Sequence, residues 1–159
     1  MRKKHAMPTL RYSNTPALQV IDVAAGLIFR DGKLLITQRP ADAHLGGLWE
    51  FPGGKREPNE TFEECLVREL REELGIEVTV GDLVETLIHA YPEKTVHLKF
   101  FRCKWQQNEA RPLGCSAFKW ICQGDLAAYE FPAADALLLE KLQSSPAFWS
   151  ATTKLRPSH

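Results

Sequence analysis

Between Gly54 and Ile76 the chain reads GKREPNETFEECLVRELREELGI. The spacing predicts a glycine turn that leads into one short helix. Thr61 and Glu64 fit a capping box at its start, and Gly75 fits its C-terminal stop. Phe62, Leu66, Leu70 and Leu74 recur every fourth residue and form a core-facing stripe. Glu69, Glu72 and Glu73 share another face, at i, i+3 and i+4. Such a face is unfavourable in a helix considered alone. Glu69 and Glu73 repel by roughly 0.2–0.5 kcal/mol, and Glu72 and Glu73 lie near the negative end of the helix dipole. A local rule broken in this way points to a site where positive charge offsets the repulsion. A hard divalent cation takes oxygen ligands and commonly also holds substrate phosphates, so Mg2+ is the first candidate. RELREEL is also the pattern of a solvated, ion-paired surface, because Arg68 can reach Glu64 and Glu72, each four residues away.

The wider pattern weighs against the plain surface. Gly54, Glu60, Arg68-Glu69-Leu70, Glu72-Glu73 and Gly75-Ile76 fix nine positions across twenty-three residues. In that spacing they resemble the complete signature of the Nudix hydrolases. Ile36 to Lys55 (ITQRPADAHLGGLWEFPGGK) and Phe131-Pro132-Ala133-Ala134-Asp135 resemble the MutT-type members, and the similarity runs roughly from Asp22 to Leu142. The resemblance implies an α/β Nudix fold, an α/β/α sandwich around a mixed β-sheet. It also implies Mg2+ or Mn2+ as cofactor and a nucleotide as substrate. The reaction implied is hydrolysis of 8-oxo-dGTP to 8-oxo-dGMP and pyrophosphate, which cleanses the nucleotide pool.

Residue by residue, the resemblance makes Glu69, Glu72 and Glu73 metal ligands, with the Gly53 carbonyl completing the shell. Glu69, Glu72, Arg68 and Glu60 form the catalytic set, Arg68 orienting the carboxylates and Glu60 supporting them. Arg39 and His44 lie near the nucleotide, and Phe51 and Asp135 belong to the base pocket. Lys94 stands where a basic residue occurs in the family, which is equally the place of a solvated turn lysine.

Two positions depart from the MutT pattern. Asp135 replaces an asparagine, and an ionised aspartate is acceptor-only. It can accept from N1–H and the amino group of guanine, or from N4 of cytosine. A (d)CTP or 5-substituted pyrimidine pyrophosphohydrolase is therefore the alternative reading. Asp135 is also placed to be a plain helix N-cap. Gly114 stands where relatives carry a glutamate, and the nearest loop carboxylate is Glu109. That gap sustains a reading of another class, a catalytically weak module that binds nucleotides or oxidised bases, like the C-terminal domain of the adenine glycosylase MutY.

Composition narrows the rest. At 159 residues one domain is expected, with residues 1–18 as an N-terminal arm, 19–145 as the Nudix domain and 146–159 as a tail. The 20 basic and 20 acidic residues cancel, so the chain shows no overall footprint for a polynucleotide. None of the four cysteines lies in a CxxC pair, which argues against zinc, and reduced thiols fit a cytoplasmic protein. No apolar run approaches the length of a membrane span. Monomer and homodimer both stay open.

Asp31-Gly32 between Val20–Phe29 and Lys33–Gln38 predicts a β-hairpin. Glu77–Val80, Leu83–His89, Val96–Lys104 and Phe118–Cys122 read as strands, and Ala134–Leu142 as a helix. His89 and His97 read as structural histidines. Trp49, next to the metal loop, is read as packing against that loop, with base stacking as the exception to test.

Overall fold

A computed structural model describes residues 19–150; residues 1–18, read as an arm, and 151–159 lie outside the described residues. In chain order the elements are β1 (Gln19–Arg30), β2 (Lys33–Gln38), β3 (Trp49–Glu50), β4 (Gly53–Lys55) and α1 (Phe62–Leu74). Then follow β5 (Glu77–Tyr91), β6 (Lys94–Gln107), β7 (Ala117–Ile121), α2 (Ala136–Ser144) and α3 (Pro146–Ser150). The β1–β2 turn has positive φ at both Asp31 and Gly32, the conformation that matches strand twist and that Asp-Gly adopts at low cost.

The seven strands form one mixed sheet in which β1 and β6 run parallel and the other pairs are antiparallel. Side chains alternate across it. Ala25, Leu27 and Phe29 face one core, shared with Leu138 and Leu142 of α2 and Trp149 of α3. Ala24 and Ile28 face the other, shared with Cys65, Leu66, Leu70 and Leu74 of α1. Helices thus cover both faces, as the α/β/α expectation required. Burying each of these leucines contributes roughly 1.5–3 kcal/mol.

The capping box at Thr61 and Glu64 forms reciprocally, and Gly75 ends α1 in the left-handed conformation. The sequence reading is corrected in three places. Glu77–Val80 and Leu83–His89 are one strand, β5, because the turn-type pair Gly81-Asp82 is absorbed as a register shift. The loop read from Pro40 to Gly54 contains β3 and most of β4. The start of the expected tail at 146 is instead α3, whose Trp149 is 4% exposed and donates its indole N–H to the Leu142 carbonyl at 2.9 Å. Arg102 clamps this helix by donating to the Phe148 carbonyl and lying over the Phe29 and Phe148 rings. Among the described residues no helix is long and apolar enough to cross a membrane.

One feature of the sheet positions the site. β1 and β2 pair only at Phe29–Leu34 and Arg30–Lys33 and then splay apart. Residues 49–55 fill the opening, with β3 on β2 and β4 on β1. This wedge carries Glu50, Phe51, Gly53 and Gly54 to the middle of the sheet.

Candidate active site

Two recesses meet at the wedge. The first is a cavity of about 220 Å³ lined by Phe51, Leu98, Phe100, Tyr91, Pro132 and Asp135, with Arg39, His44 and Lys94 also on its wall. The second, of about 340 Å³, is lined by Arg39, Pro40, Glu50, Gly53, Glu69, Glu72, Glu73 and Gly114. Arg39, Glu50 and Gly53 belong to both. One recess is largely apolar and aromatic. The other is acidic.

Close backbone approach builds the acidic recess. The carboxyl group of Glu69 lies against Gly54, where any Cβ would overlap it, and a Cβ on Gly53 would overlap the Ala24 carbonyl. Glycine at 53 lets β4 lie this close to the backbone of β1, and glycine at 54 leaves the Glu69 carboxyl group its place beside β4. The Gly53 N–H donates to Glu73 Oε1 at 3.3 Å.

Arg68 is the hub of the helix face. Its Nε and Nη2 donate to the two oxygens of Glu60 at 3.0 and 2.7 Å. Its Nη1 reaches Glu69 Oε2 at 3.1 Å and Glu72 Oε1 at 3.2 Å, and Nη2 also donates to the Lys55 carbonyl at 3.1 Å. The expected partner Glu64 is taken by the cap instead. The paired Arg68 guanidinium holds Glu60 down to about 2. Glu69, by contrast, is raised by burial, which outweighs Arg68. Glu73 is pushed up to about 8, chiefly by burial and then by the neighbouring Glu50 charge. Crowded carboxylates so shifted are groups that a cation would return to the ionised state.

The donor set fits a hard divalent ion: Glu69, Glu72 and Glu73 share one half-buried recess and offer oxygen only. It is not a closed cage. Among the described residues no three His, Cys, Asp or Glu side chains close around one point, since Glu69 and Glu72 turn to Arg68 and Glu73 to Gly53.

Phe51 is buried and stacks on Phe131, with ring centroids 5.1 Å apart and planes 28° apart. Asp135 is 5% exposed. It sits at the N-cap position of α2, yet its side chain makes no capping hydrogen bond. Its side chain lines the cavity, where burial and then Glu50 raise it to about 7. His44 packs edge-on to Tyr91 at 5.4 Å, and its carbonyl accepts from Arg39 Nε at 2.6 Å.

The chain belongs to the Nudix family of hydrolases. The NUDIX domain model matches residues 24–141. The chain is 41% identical over 123 residues to the CTP pyrophosphohydrolase of Escherichia coli K12, covering 77% of this chain and 91% of that one. It is 47% identical over 90 residues to the 8-oxo-dGTP diphosphatase of Proteus vulgaris, covering 56% and 80%. It superposes on the solution structure of the E. coli ORF135 protein with a TM-score of 0.67 at 37% identity, covering 91% of this chain and all of that one.

The Nudix helix thus brings Glu69, Glu72 and Glu73 together beside Gly53, the wedge adds Glu50 and Phe51, and Arg39 joins them from the end of β2. Glu60 lies behind Arg68 and lines neither recess. Glu109 is bound to Arg30 at 3.0 Å and lines neither recess, so it does not replace the missing loop carboxylate. Trp49 packs against Tyr129 at 5.1 Å in the α2 core and lines neither recess, which settles it as packing. His97 is structural, 3.3 Å from Asp22.

Glu50 was not foreseen. It joins the two recesses, pairs with Arg39 at 3.0 Å, and is raised by burial despite that partner. A lone acid between Trp49 and Phe51 is its only signal in the sequence.

Proposed function

We propose that this chain is a divalent-cation-dependent nucleoside triphosphate pyrophosphohydrolase, with 8-oxo-dGTP as substrate and 8-oxo-dGMP and pyrophosphate as products. The observation that carries this reading is the junction at Arg39, Glu50 and Gly53 of an aromatic cavity with an acidic recess. A base stacks in the first and its phosphates extend over the second. Relatives named 8-oxo-dGTP diphosphatase support the substrate.

Glu69, Glu72, Glu73 and the Gly53 carbonyl would hold Mg2+ or Mn2+. The bound ion neutralises phosphate charge and lowers the pKa of water. Arg68 orients Glu69 and Glu72, and Glu60 anchors Arg68. A carboxylate of the recess takes the proton of the attacking water. Arg39, shared by both recesses, provides positive charge where the phosphates leave the cavity, Lys94 stands on the cavity wall, and Phe51, backed by Phe131, gives the base an apolar face.

Asp135 favours a second reading, a (d)CTP pyrophosphohydrolase, in keeping with the similarity to the enzyme of that name. Ionised, Asp135 matches the two donors of a guanine edge. Protonated, it both donates and accepts, which suits N3 and the N4 amino group of cytosine. Parallel kinetics with 8-oxo-dGTP, dGTP, CTP and 5-methyl-dCTP decide between them. A kcat/KM for 8-oxo-dGTP at least tenfold above the others supports the first reading. The reverse order establishes the second. Binding without pyrophosphate release returns the chain to the class of binding modules.

A further inference from the structure

Thr37 is fully buried, and its hydroxyl is the one buried side-chain polar atom without a hydrogen-bond partner among the described residues. Buried hydroxyls in native proteins are paired, because an orphan keeps its full desolvation penalty. The position is telling. Along β2, Leu34 and Ile36 face the α2 core and Leu35 the α1 core. Alternation puts Thr37 and then Arg39 on the α1 side, where the packed core gives way to the acidic recess.

Across the ladder Thr37 stands between Glu50 of β3 and Phe118 of β7. Directly opposed residues project to the same face. Phe118 is apolar, Leu35 is apolar, and Arg39 can only donate. Glu50 is the one acceptor among these neighbours. Its Oε1 already accepts from Arg39, which leaves Oε2 for a second donor.

In this structure the hydroxyl and the Glu50 carboxylate are not bonded; we propose that the Thr37 hydroxyl is a positioning group for the active site, donating to Glu50 once a turn of the Glu50 carboxylate brings Oε2 within its reach. With Arg39 on the other oxygen, Glu50 is then held at the junction of the two recesses. A valine would fill the same space without this bond, so threonine at this core position is explained by its hydroxyl. The inference rests on the hydrolase reading for its kinetic test but has a second, independent readout.

Thr37→Val, Thr37→Ser, Glu50→Gln and the double variant Thr37→Val/Glu50→Gln are compared with the wild type for kcat, KM and melting temperature. Thr37→Val is expected to lower kcat about tenfold with KM within about twofold, Thr37→Ser to keep kcat within about threefold, and Thr37→Val to add no loss in the Glu50→Gln background. Unchanged kcat in Thr37→Val, or the same loss with Glu50 replaced, overturns the proposal. If the wild type turns over no nucleotide, the hydrolase reading fails and the melting temperature decides this one. A hydroxyl bonded to Glu50 makes Thr37→Val melt lower than the wild type, with the difference gone in the Glu50→Gln background. An orphan hydroxyl makes Thr37→Val melt higher or unchanged.

Discussion

Arg68 grips Glu60 through two parallel hydrogen bonds, Nε to Oε1 at 3.0 Å and Nη2 to Oε2 at 2.7 Å. Nη1 of the same guanidinium reaches Glu69 and Glu72. One planar group therefore locks the loop before α1 to the acidic face of α1. Lysine carries the charge but not the fork. Arg68→Lys is expected to lower kcat at least tenfold while the protein stays folded, and steady-state kinetics beside a circular dichroism melt check it. Wild-type turnover in this variant removes Arg68 from the site.

Glu60 is held down to about 2 by Arg68, against an ordinary 4.5. A carboxylate lowered on folding stabilises above its unfolded pKa, and that contribution is lost as pH falls through the folded one. The wild type should lose more melting temperature between pH 5 and 3 than Glu60→Gln. Parallel slopes would show that the pair adds nothing to stability.

Asp135 has the opposite sign. Burial raises it from 3.8 to about 7. The folded state keeps a proton that the unfolded chain releases, so this contribution is whole below about 3.8 and fades as pH rises through about 7. Melting temperature measured in chelator should fall more steeply from pH 5 to pH 8 in the wild type than in Asp135→Asn. The same substitution should change the ratio of kcat/KM for guanine and cytosine nucleotides. An unaltered ratio places Asp135 outside base selection.

The C-terminal helix is part of the fold. Trp149 fills the core beside Phe29, with ring centroids 5.3 Å apart. Trp149→Ala should cost about 3–5 kcal/mol in a denaturant melt, as large-to-small core changes do. A cost under about 1 kcal/mol would return this segment to the status of a tail.

Much of this was legible in the sequence where local chemistry and tertiary packing agree. The Thr61–Glu64 box, the Gly75 stop and the leucine stripe of α1 needed only neighbouring residues, and so did the Asp31-Gly32 turn. What escaped depends on contacts distant along the chain. Glu50 is an ordinary acid until β1 and β2 splay and place it between Glu73 and Asp135. Gly81-Asp82 has the composition of a turn, but pairing with β6 carries β5 straight through it. Residues 146–150 read as the start of a tail because the partners of Trp149, Phe29 and Leu142, lie elsewhere in the sequence.

Glu69, Glu72 and Glu73 are proposed to serve phosphate hydrolysis through a divalent ion. Pyrophosphate release from 8-oxo-dGTP and CTP, by the wild type and by each single Glu→Gln variant, in Mg2+ or Mn2+ and in EDTA, tests it most directly. Release is expected to stop in EDTA, and kcat to fall at least about a hundredfold in every variant, with melting temperatures equal to or above that of the wild type in chelator. Release that persists in EDTA, or a Glu72→Gln or Glu73→Gln enzyme as fast as the wild type, would contradict it.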